Sequence, residues 1–494
     1  MMENVAWNIR EGFVHGIIAG MKTNMLLVGA VVGTSLVLHA EFKAGFARVD
    51  MTPPIGTELS GHPEKRVSDG IIDPLYINAV AFSDGTNRAV VISADSTNFR
   101  AYFELYRKNA AAAAGLPPEA VFIACTHTHT GPHIGLSHYG KTFDSFAKAS
   151  IYERFVGERL KDAVKLSLAD LAPAKLSIGR GEAKNISFIR RYRMKDGTCR
   201  TNPGRGNQNI VAPIGTPDET VQLVRIDREG RDAIAVVNFQ CHPDTIVGTK
   251  IGADWPGVVR TTVERALDGV KCIFINGAQG DSNHVCVDLS RKDVPRGRDV
   301  VYRHMGRVVA GAVIGAWDAC EPVPAGKVGF GVVRTKVKSH RPSPEEIPEA
   351  QRIIDLIRAG KQSEVPGKGM QRITNMAAAT RKINLKDGPD FFDFPLSAVT
   401  VGEALAFVGF PGEPFTAYGK ILKEKSPFRM TVPACIVNGN FGYLPTDEAL
   451  SEEGYETQGS LFVPGLEQAI VSGHLEQLSR LFGTGCATPT TGQH

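Results

Sequence analysis

The sequence has almost no excess charge, because 56 lysines and arginines face 52 aspartates and glutamates and leave a net charge of +4 over 494 residues. It also lacks a basic stripe with interleaved aromatic residues, the pattern that is typical of RNA-binding surfaces. We therefore expect no nucleic-acid partner. Internal repeats and low-complexity linkers are absent as well, so the sequence predicts a single large domain over residues 41–480.

The eight cysteines show no short repeated spacing of the kind that staples a small secreted domain. A chain of this length can bury a sizeable core without disulfides. Most of the thiols are therefore expected to be buried. Cys125 and Cys241 each lie within two residues of a histidine, which leaves them open as alternative ligands for a soft metal.

Only one stretch is apolar enough to concern a membrane, and it lies near the start of the chain. Lys22 precedes an apolar run over residues 25–38, and the small residue Ala40 follows shortly after it. These are the parts of a secretory signal. We interpret residues 1–40 as a signal peptide with an upstream extension and expect the body to be periplasmic or secreted. A retained N-terminal anchor is the alternative, and peripheral membrane contact fits either case.

Several runs are apolar at consecutive positions, which is typical of strands buried on both faces. They cover residues 89–95, 120–125, 233–240, 272–277 and 404–410. The pattern predicts an α/β fold, with a large mixed sheet covered by helices.

Three further segments have their own signals. Residues 148–170 carry apolar side chains at three- and four-residue spacing and predict a covering helix. Residues 341–390 are polar and punctuated by proline, which predicts a surface excursion with one or two helices. Residues 481–494 have too little apolar surface to fold alone and predict a flexible tail.

Four of the apolar runs end in loops that carry side chains able to do chemistry. These loops are residues 125–131, 241–244, 276–283 and 410–414. In open α/β sheets, ligands bind beyond the carboxyl ends of the strands. We therefore expect the four loops to converge on one active site.

The first of these loops is rich in histidine. His127 and His129 are two residues apart, so an extended backbone would point both imidazoles into one cavity. Imidazole is a common zinc ligand, and catalytic zinc usually takes about three protein groups. His242 and Glu413, each after its own strand, favour a metal site over a hydrogen-bonded polar loop. His133 lies further out and is assigned to the substrate rim.

The third loop and an arginine pair supply the remaining candidates. Asp281, Ser282 and Asn283 follow a glycine-rich turn, where a serine can act as a nucleophile or an oxyanion donor. We predict catalytic roles for Asp281 and Ser282 and a substrate-binding role for Asn283. The G-x-S-x-G elbow is absent, so a Ser-His-Asp triad is not indicated. Arg190 and Arg191 have the fork geometry that binds a carboxylate or an oxyanion, and a solvent-facing pair is the alternative.

Six ordered blocks resemble the neutral (non-lysosomal) ceramidase family. They are AGFARVDMTPPIGTELSGH, CTHTHTGPH, CHPDTIVG, NGAQGDSN, GFPGEPF and NFGYLPTDEA, and they span residues 44–465. The resemblance implies one zinc ion per chain, held by His127, His242, Glu413 and Tyr443. It also implies that His129 lies beside the metal as a proton handler or transition-state donor, and that the reaction is hydrolysis of an amide bond.

Two features depart from that family. Its serine block has the form G-D-x-S-P-N, whereas residues 280–284 read GDSNH, one residue shorter and without the proline, which leaves open whether Ser282 is the family serine. The ceramidases also carry a C-terminal β-sandwich domain. After residue 465 this chain has room for about one helix, so we expect no such domain.

The leading hypothesis is an exported zinc-dependent hydrolase of an N-acyl amide bond in a small-molecule or lipid-like substrate. One alternative is a zinc-dependent esterase or lactonase acting on a small polar or sugar-linked substrate. Another is a non-catalytic, metal-containing envelope binding protein. A deep apolar groove beside His127 would favour the lipid amide, whereas a small polar pocket lined by Arg190 or Arg191 would favour a polar or anionic substrate.

Overall fold

The computed structural model describes residues 41–62, 64–135, 143 and 145–482. The predicted signal segment, residues 1–40, lies outside these described residues, and so does most of the predicted tail, residues 483–494. Within the described part of the chain, we find no helix with the length and apolar character that crossing a membrane requires.

The described strands range from two to eleven residues. In chain order they are β1 (Lys43–Asp50), β2 (Glu58–Leu59), β3 (Arg66–Val67), β4 (Gly70–Ile71), β5 (Tyr76–Ser83), β6 (Arg88–Ala94), β7 (Val121–Cys125), β8 (Ala172–Glu182), β9 (Phe188–Ile189), β10 (Arg191–Met194), β11 (Cys199–Thr201), β12 (Ile210–Pro213), β13 (Thr220–Arg228), β14 (Ala233–Phe239), β15 (Lys250–Ile251), β16 (Val270–Asn276), β17 (Ser282–Asn283), β18 (Glu321–Val323), β19 (Val328–Lys338), β20 (Phe391–Val401), β21 (Leu405–Gly409), β22 (Glu413–Pro414), β23 (Met430–Ala434) and β24 (Tyr443–Leu444).

The described α-helices lie between and after these strands. They are α1 (Phe103–Ala113), α2 (Ile151–Ala169), α3 (Asp254–Ala266), α4 (Arg298–Ala316), α5 (Ile347–Arg358), α6 (Met370–Leu385), α7 (Thr416–Lys425), α8 (Asp447–Leu450), α9 (Tyr455–Gly459) and α10 (Leu466–Leu481).

The largest sheet has nine strands in the order β16-β14-β13-β8-β1-β5-β6-β7, with β18 pairing on β8. Only the outermost pair at each end of this order is parallel, and the ladders between them are antiparallel. The prediction of a mixed sheet with helices is confirmed, and each of the five predicted apolar runs is a strand: β6, β7, β14, β16 and β21.

The consecutive apolar residues follow from burial on both faces of this sheet. Val236 joins the core that also contains β1 and β5, whereas the next residue, Val237, packs with Val259 of α3 and Val309 of α4 in a second core. Because successive strand residues point to opposite faces, both must be apolar when both faces are covered.

Although β6 and β16 lie near opposite ends of the strand order, they are close in space. Ser93 Oγ, on β6, donates a hydrogen bond of 2.5 Å to the Phe274 carbonyl on β16. At the ends of the strands, Asn276 Nδ2 donates to the carbonyls of Thr126 and Cys241, at 3.1 and 3.3 Å. One amide therefore ties the loop after β7 to the loop after β14.

A second sheet, in the order β19-β20-β21-β23, adds two more strand ends to this place. Its strands β21 and β23 are parallel, so their carboxyl ends lie side by side. Just beyond β23, Cys435 N–H donates to the Asn276 carbonyl at 2.9 Å, and Ile436 accepts from Cys125 N–H at 3.3 Å. The loops after β7, β14, β16, β21 and β23 therefore share one region.

The helix predicted over residues 148–170 is α2, and its local sequence explains its start. Ser150 accepts a hydrogen bond from Glu153 N–H, and the Glu153 carboxylate accepts from Ser150 N–H, which completes a capping box. Its buried residues include Val156 and Leu160, one turn apart, which pack into the core with β1 and β5.

The segment predicted as a surface excursion connects β19 to β20 and forms α5 and α6. Ala350, Ile353, Val365, Met376 and Ala379 form a small core of their own between the two helices. Five residues of this helix pair also form one wall of the cavity at the strand ends. The excursion therefore contributes to this cavity as well as to the surface of the molecule.

The seven cysteines among the described residues are free thiols, and six of them are buried. This confirms the expectation for the described cysteines. Cys125 and Cys241 lie at the strand ends beside the histidine loops, and burial raises the pKa of both thiols. Among the described residues, the group that could hold a metal ion consists of His127, His129 and His242 and includes neither cysteine.

A buried carboxylate makes stability depend on pH. Burial, together with the neighbouring Asp95, raises the pKa of Asp73 to about 7, although Asp73 accepts a hydrogen bond from Ala253 N–H. The folded state therefore holds a proton that the unfolded chain releases near pH 4. As pH rises from about 4 to about 7 this contribution is lost, at up to roughly 1.4 kcal/mol per pH unit.

We expect Asp73→Asn to remove this loss, because asparagine keeps the acceptor for Ala253 N–H and cannot ionise. The variant should melt several degrees above the native protein at pH 8 and within about 2 °C of it at pH 5. Thermal unfolding at the two pH values measures this, with the exposed Asp69→Asn as the matched control. Equal melting temperatures of native and Asp73→Asn protein at pH 8 would contradict the prediction.

Candidate metal centre

His127 is held at the end of β7 by the loop that follows β6. Its backbone N–H donates to the Ser96 carbonyl and its ring Nδ1 contacts the Thr97 carbonyl, both at 2.9 Å. Its backbone is in the left-handed region, with φ at +69°, rather than extended as the sequence predicted. His127 is the second residue after β7 ends. Its imidazole therefore reaches the cavity from a strained backbone conformation.

His242 is the corresponding residue after β14, and it is fully buried. Its ring Nδ1 lies 2.9 Å from the Gln279 carbonyl and 3.1 Å from the Ser282 carbonyl. The glycine-rich loop after β16 therefore orients this histidine through its backbone.

Glu413 lies on the short strand β22, which pairs in parallel with β24 and places Glu413 opposite Tyr443. The loop after β16 passes very close to it, because a Cβ on Gly280 would lie 2.4 Å from the Glu413 carbonyl oxygen. Only glycine fits at that approach. The backbones of two predicted blocks, NGAQGDSN and GFPGEPF, are therefore in direct contact.

The side chains of these loops converge on one point. His127 Nε2 lies 3.3 Å from Glu413 Oε2, and His242 Nε2 lies 3.1 Å from the same oxygen. His129 Nε2 lies 3.2 Å from His127 Nε2. The ligand atoms of the three histidines are all within 4.8 Å of one another. The predicted convergence of these loops is therefore observed.

The donor set fits a metal cation. A carbonyl oxygen only accepts, so Nδ1 of His127 and of His242 must each carry the proton, which leaves Nε2 with a lone pair in the neutral ring. Both lone pairs face the carboxylate of Glu413. Acceptors that face one another need a cation between them. Carbonyl-oriented imidazoles are also typical of zinc sites.

The electrostatics of the cluster agree with this. Burial favours the neutral form of Glu413, but His127 and His242 outweigh it and hold the pKa of the carboxyl well below its usual range. Burial, followed by Arg190, lowers the pKa of His242. Glu413 in turn raises the pKa of His127. The cluster therefore holds an ionised carboxylate and favours a positive charge beside it, which a proton on His127 or a metal cation in its place can supply.

His129 is the most exposed of the three histidines and lines the cavity wall. Its ring packs edge to face against the ring of His62, with centroids 5.7 Å apart. Burial and the nearby His127 lower the pKa of His129 well below its usual value. A neutral imidazole in this position can act as a further ligand or accept a proton in the cavity.

Tyr443 lies beside the cluster, with its ring stacked 6.3 Å from the ring of His242. The guanidinium of Arg190 lies over the Tyr443 ring at 5.3 Å and also forms a hydrogen bond with this side chain. Arg190 itself is buried, pairs with Glu456 at 2.7 Å and donates to the Gly280 carbonyl at 2.6 Å. Arg190 therefore fixes Tyr443 at the edge of the cluster.

The cluster opens into a cavity of about 370 Å³. Its wall on the metal side contains His62, His127, His129, Glu413 and Tyr443. The residues that α5 and α6 contribute are mainly apolar: Ile357, Ile373, Met376, Ala377 and Thr380. The cavity therefore has the histidine and carboxylate cluster in one part of its wall and an apolar surface from α5 and α6 in another.

Comparisons with known proteins bear on this arrangement. No protein-family model matches the chain, and no curated protein matches it. Among solved structures, the neutral ceramidase from Pseudomonas aeruginosa matches with a TM-score of 0.66 and 18% identity, over 91% of this chain and 76% of that one. A ceramidase complexed with C2 matches with a TM-score of 0.65 and 17% identity, over 92% and 78%.

This chain has the ceramidase fold. The resemblance that six sequence blocks indicated is thus confirmed at the level of the fold. The ceramidase fold brings the blocks that contain His127, His242, Glu413 and Tyr443 to one cavity, whereas their assignment as the zinc ligands stays a prediction.

Two residues of the serine block have buried roles in the structure. The Asp281 carboxylate accepts from Thr416 N–H and Thr416 Oγ, both at 2.7 Å, at the start of α7. Ser282 contributes its carbonyl to His242, and its hydroxyl lies 3.5 Å from the Gln279 carbonyl. Neither residue is among those that line the cavity, and their predicted catalytic roles stay predictions.

None of the four predicted substrate-binding residues is among those that line the cavity, and their roles stay predictions. Arg191 is buried, pairs with Glu452 at 2.9 Å and lies over the Phe415 ring at 5.4 Å. Asn283 donates from Nδ2 to Asn202 at 3.1 Å. His133 is half-buried in the loop beyond His129 and bonds through its backbone to Glu58. Of the four, Arg190 approaches the site most directly, through Tyr443.

Some functional residues were not singled out from the sequence. Gln279 donates to Glu413 Oε2 at 3.4 Å while its carbonyl orients His242, and it lies inside the NGAQGDSN block that was quoted. The wall residues Ile373 and Met376 belong to α6, within the segment that the sequence predicted as a polar surface excursion with one or two helices. That prediction placed none of its residues at the cavity.

The cluster predicts loss of metal on removal of single ligands. Native protein should contain about one zinc ion per chain. His242→Ala and Glu413→Gln should each reduce this zinc content below about a tenth of an ion per chain, because each change removes one metal ligand. Metal analysis by inductively coupled plasma mass spectrometry measures the content.

The matched control is His304→Ala, which removes a partly exposed histidine on α4 that does not line the cavity. It should retain the native zinc content. Circular dichroism checks that each variant is folded. Folded Glu413→Gln protein with a full complement of zinc would contradict the predicted site.

The position of Ser282 gives a second prediction. Since the contact to His242 comes from the Ser282 carbonyl, Ser282→Ala should keep kcat for the native substrate within about threefold, whereas loss of a nucleophile typically costs several orders of magnitude. Steady-state kinetics on zinc-loaded protein would decide this, and a fall in kcat of about a thousandfold or more would assign Ser282 to the reaction.

Proposed function

We propose that this protein is an exported, zinc-dependent hydrolase that cleaves the amide bond of N-acyl substrates with an apolar acyl group. The observation that carries the proposal is the meeting of histidine ring nitrogens and the Glu413 carboxylate beside a cavity to which α5 and α6 contribute mainly apolar residues. The fold shared with the two ceramidases supports the same class of reaction.

In this proposal His127, His242 and Glu413 hold the zinc ion, with Tyr443 as the fourth ligand. Zinc held there would supply Lewis-acid activation of a water molecule and of the substrate carbonyl. The carbonyls of Thr97 and Gln279 keep the two histidines in the tautomer that binds metal. Arg190 holds Tyr443 in place by the contacts described above.

His129 is the proton handler. It lies on the cavity side of His127, with a neutral ring that can accept a proton from water and return it to the departing amine nitrogen. One group can carry the proton in both steps only if it faces both the water and the leaving nitrogen. Among the three clustered histidines, His129 has the greatest exposure to the cavity.

The cavity wall favours a lipid-like acyl group over a small polar substrate. Ile357, Ile373 and Met376 present apolar surface beside the cluster, and each methylene that leaves water for such a surface contributes about 0.8 kcal/mol. Arg191, by contrast, is buried against Glu452 away from the cavity. These residues support the expectation of an apolar groove for a lipid-like amide over that of a small polar pocket lined by Arg190 or Arg191.

Activity should follow from these roles. Purified, zinc-loaded protein should hydrolyse dodecanoyl amides faster than acetyl amides and faster than the matching esters. His129→Ala should lower kcat by about 10²–10⁴-fold while it retains zinc, because general acid–base catalysis contributes that much. Metal content and steady-state kinetics are measured on the same sample. Full activity of metal-free protein, or a preference for esters, would contradict the proposal.

The apolar wall can be tested on one helix. Ala377→Leu places a larger side chain in the cavity and should lower kcat/KM for dodecanoyl amides by about tenfold or more, with less effect on acetyl amides. Ala378→Leu is the matched control, because this neighbouring residue lines a different cavity. Equal effects of the two variants on both substrates would contradict an acyl-binding role for this wall.

A further inference from the structure

Helix α10 covers one face of the second sheet. It packs against α7, β19 and β20, and its apolar residues Leu466 and Ile470 belong to the same core as Leu396 of β20. The helix approaches this strand closely, because a Cβ on Gly473 would lie 2.6 Å from Leu396 Cδ1. The next residue, His474, therefore lies inside a tightly packed interface between a helix and a sheet.

His474 is fully buried, and its ring packs edge to face against the Phe410 ring with centroids 5.0 Å apart. Neither of its ring nitrogens has a hydrogen-bond partner among the described residues. Gln477, on the same face of α10, is also buried, and its amide bonds to no residue that the structure describes. Tyr418 of α7 packs against Phe410 as well, but its hydroxyl donates to the Pro445 carbonyl. Two polar side chains are therefore buried at a cost in free energy.

The charged side chains of the elements packed on α10 do not compensate for this burial. On β19, on β20 and in the last turn of α7 they are exposed: Arg334, Lys336, Lys338, Asp393, Glu424 and Lys425. The other two lysines of α7 have partners elsewhere. Lys423 pairs with Asp218 at 2.8 Å, and Lys420 donates to the Thr216 carbonyl at 2.8 Å.

The charged groups of α10 itself also lie away from the interface. Glu476 and Arg480 form an exposed pair, and Glu467 accepts a hydrogen bond from Asp447 N–H. Burial alone lowers the pKa of His474 to about 3, and release of the helix returns this pKa towards 6.5. The docking of α10 therefore has its full stability above about pH 6.5, and it weakens as the pH falls from there towards 3.

We propose that α10 is an acid-sensitive strap, which dissociates from the second sheet when His474 takes up a proton. An imidazolium in this interface would find no acceptor for its N–H groups among the described residues, whereas water accepts from both once the helix is released. Phe410, against which His474 packs, comes three residues before Glu413. Acid conditions therefore loosen the support of the segment that presents Glu413 to the histidine cluster. The inference does not depend on which bond the protein hydrolyses.

Hydrogen exchange measured by mass spectrometry tests the inference. Protection factors of the α10 amides in native protein should fall about thirtyfold between pH 7.5 and pH 5, because the released helix binds the proton near pH 6.5 and the docked helix only near pH 3. In His474→Leu the fall should be less than about threefold, since leucine suits the apolar site and cannot ionise. His474→Gln, which keeps a polar side chain and cannot ionise, should show the same small fall.

The matched control is Gln477→Leu, which removes the second buried polar side chain of the same face and keeps the imidazole. It should retain the fall of about thirtyfold. An equally small fall in Gln477→Leu and in His474→Leu would assign the pH dependence to packing and overturn the inference. Native protein whose α10 protection is the same at both pH values would overturn it too.

Exchange in the large sheet separates release of α10 from unfolding of the whole domain. The strand β13 lies within that sheet, and its protection factors should respond to pH alike in native protein and in His474→Leu. Both proteins contain the same residues at the histidine cluster, so any loss of metal at pH 5 affects them equally. If His474→Leu changed the pH response of β13 as much as that of α10, the proton would act on the whole fold and the strap would be ruled out.

Discussion

Two backbone carbonyls determine the chemical state of this site. The carbonyls of Thr97 and Gln279 each take the proton of an Nδ1, and this leaves the opposite nitrogen of His127 and of His242 free to bind a cation. Side-chain acceptors could rotate or titrate, but a backbone carbonyl can do neither. The fold, rather than a local side-chain network, therefore sets the tautomer of the two imidazoles in their neutral form.

This dependence explains why so much of the structure serves to align loops. His127 takes its carbonyl from the loop after β6, and His242 takes its carbonyl from the loop after β16, so each histidine needs two strand ends in register. Asn276 joins the two histidine loops, and the backbone of the loop after β23 bonds to Asn276. The strained φ of His127 is maintained by these contacts, at a cost of about 1–2 kcal/mol.

Much of the fold and part of the site could be predicted from the sequence. Runs buried on both faces are recognisable because residues such as Val236 and Val237 must both be apolar, and polar residues that follow such runs lie at strand ends. His127, His242 and Glu413 could therefore be expected in one place. The left-handed turn at His127 could not, because no glycine marks it and distant carbonyls hold it.

The partners of the arginines could not be predicted either. Arg190 has fork geometry in any environment, and only the tertiary structure shows that it pairs with Glu456 and lies over Tyr443. The same holds for α6, since the polar, proline-punctuated segment that contains it predicted a helix at the surface and not its contact with the cavity. Local sequence specifies which side chains are apolar or charged, and long-range packing specifies their neighbours.

The connection that contains α5 and α6 leaves the second sheet at Lys338 and returns at Phe391, and these two residues are directly paired in the β19–β20 ladder. In topological terms the whole segment is an enlarged hairpin loop, whose length the ladder does not fix. In the proposed function, the metal-site residues and the apolar wall of the cavity are thus encoded in separate stretches of the sequence. Evolution can exchange the second without disturbing the first, which suits a scaffold that must keep one reaction while it changes the molecules on which it acts.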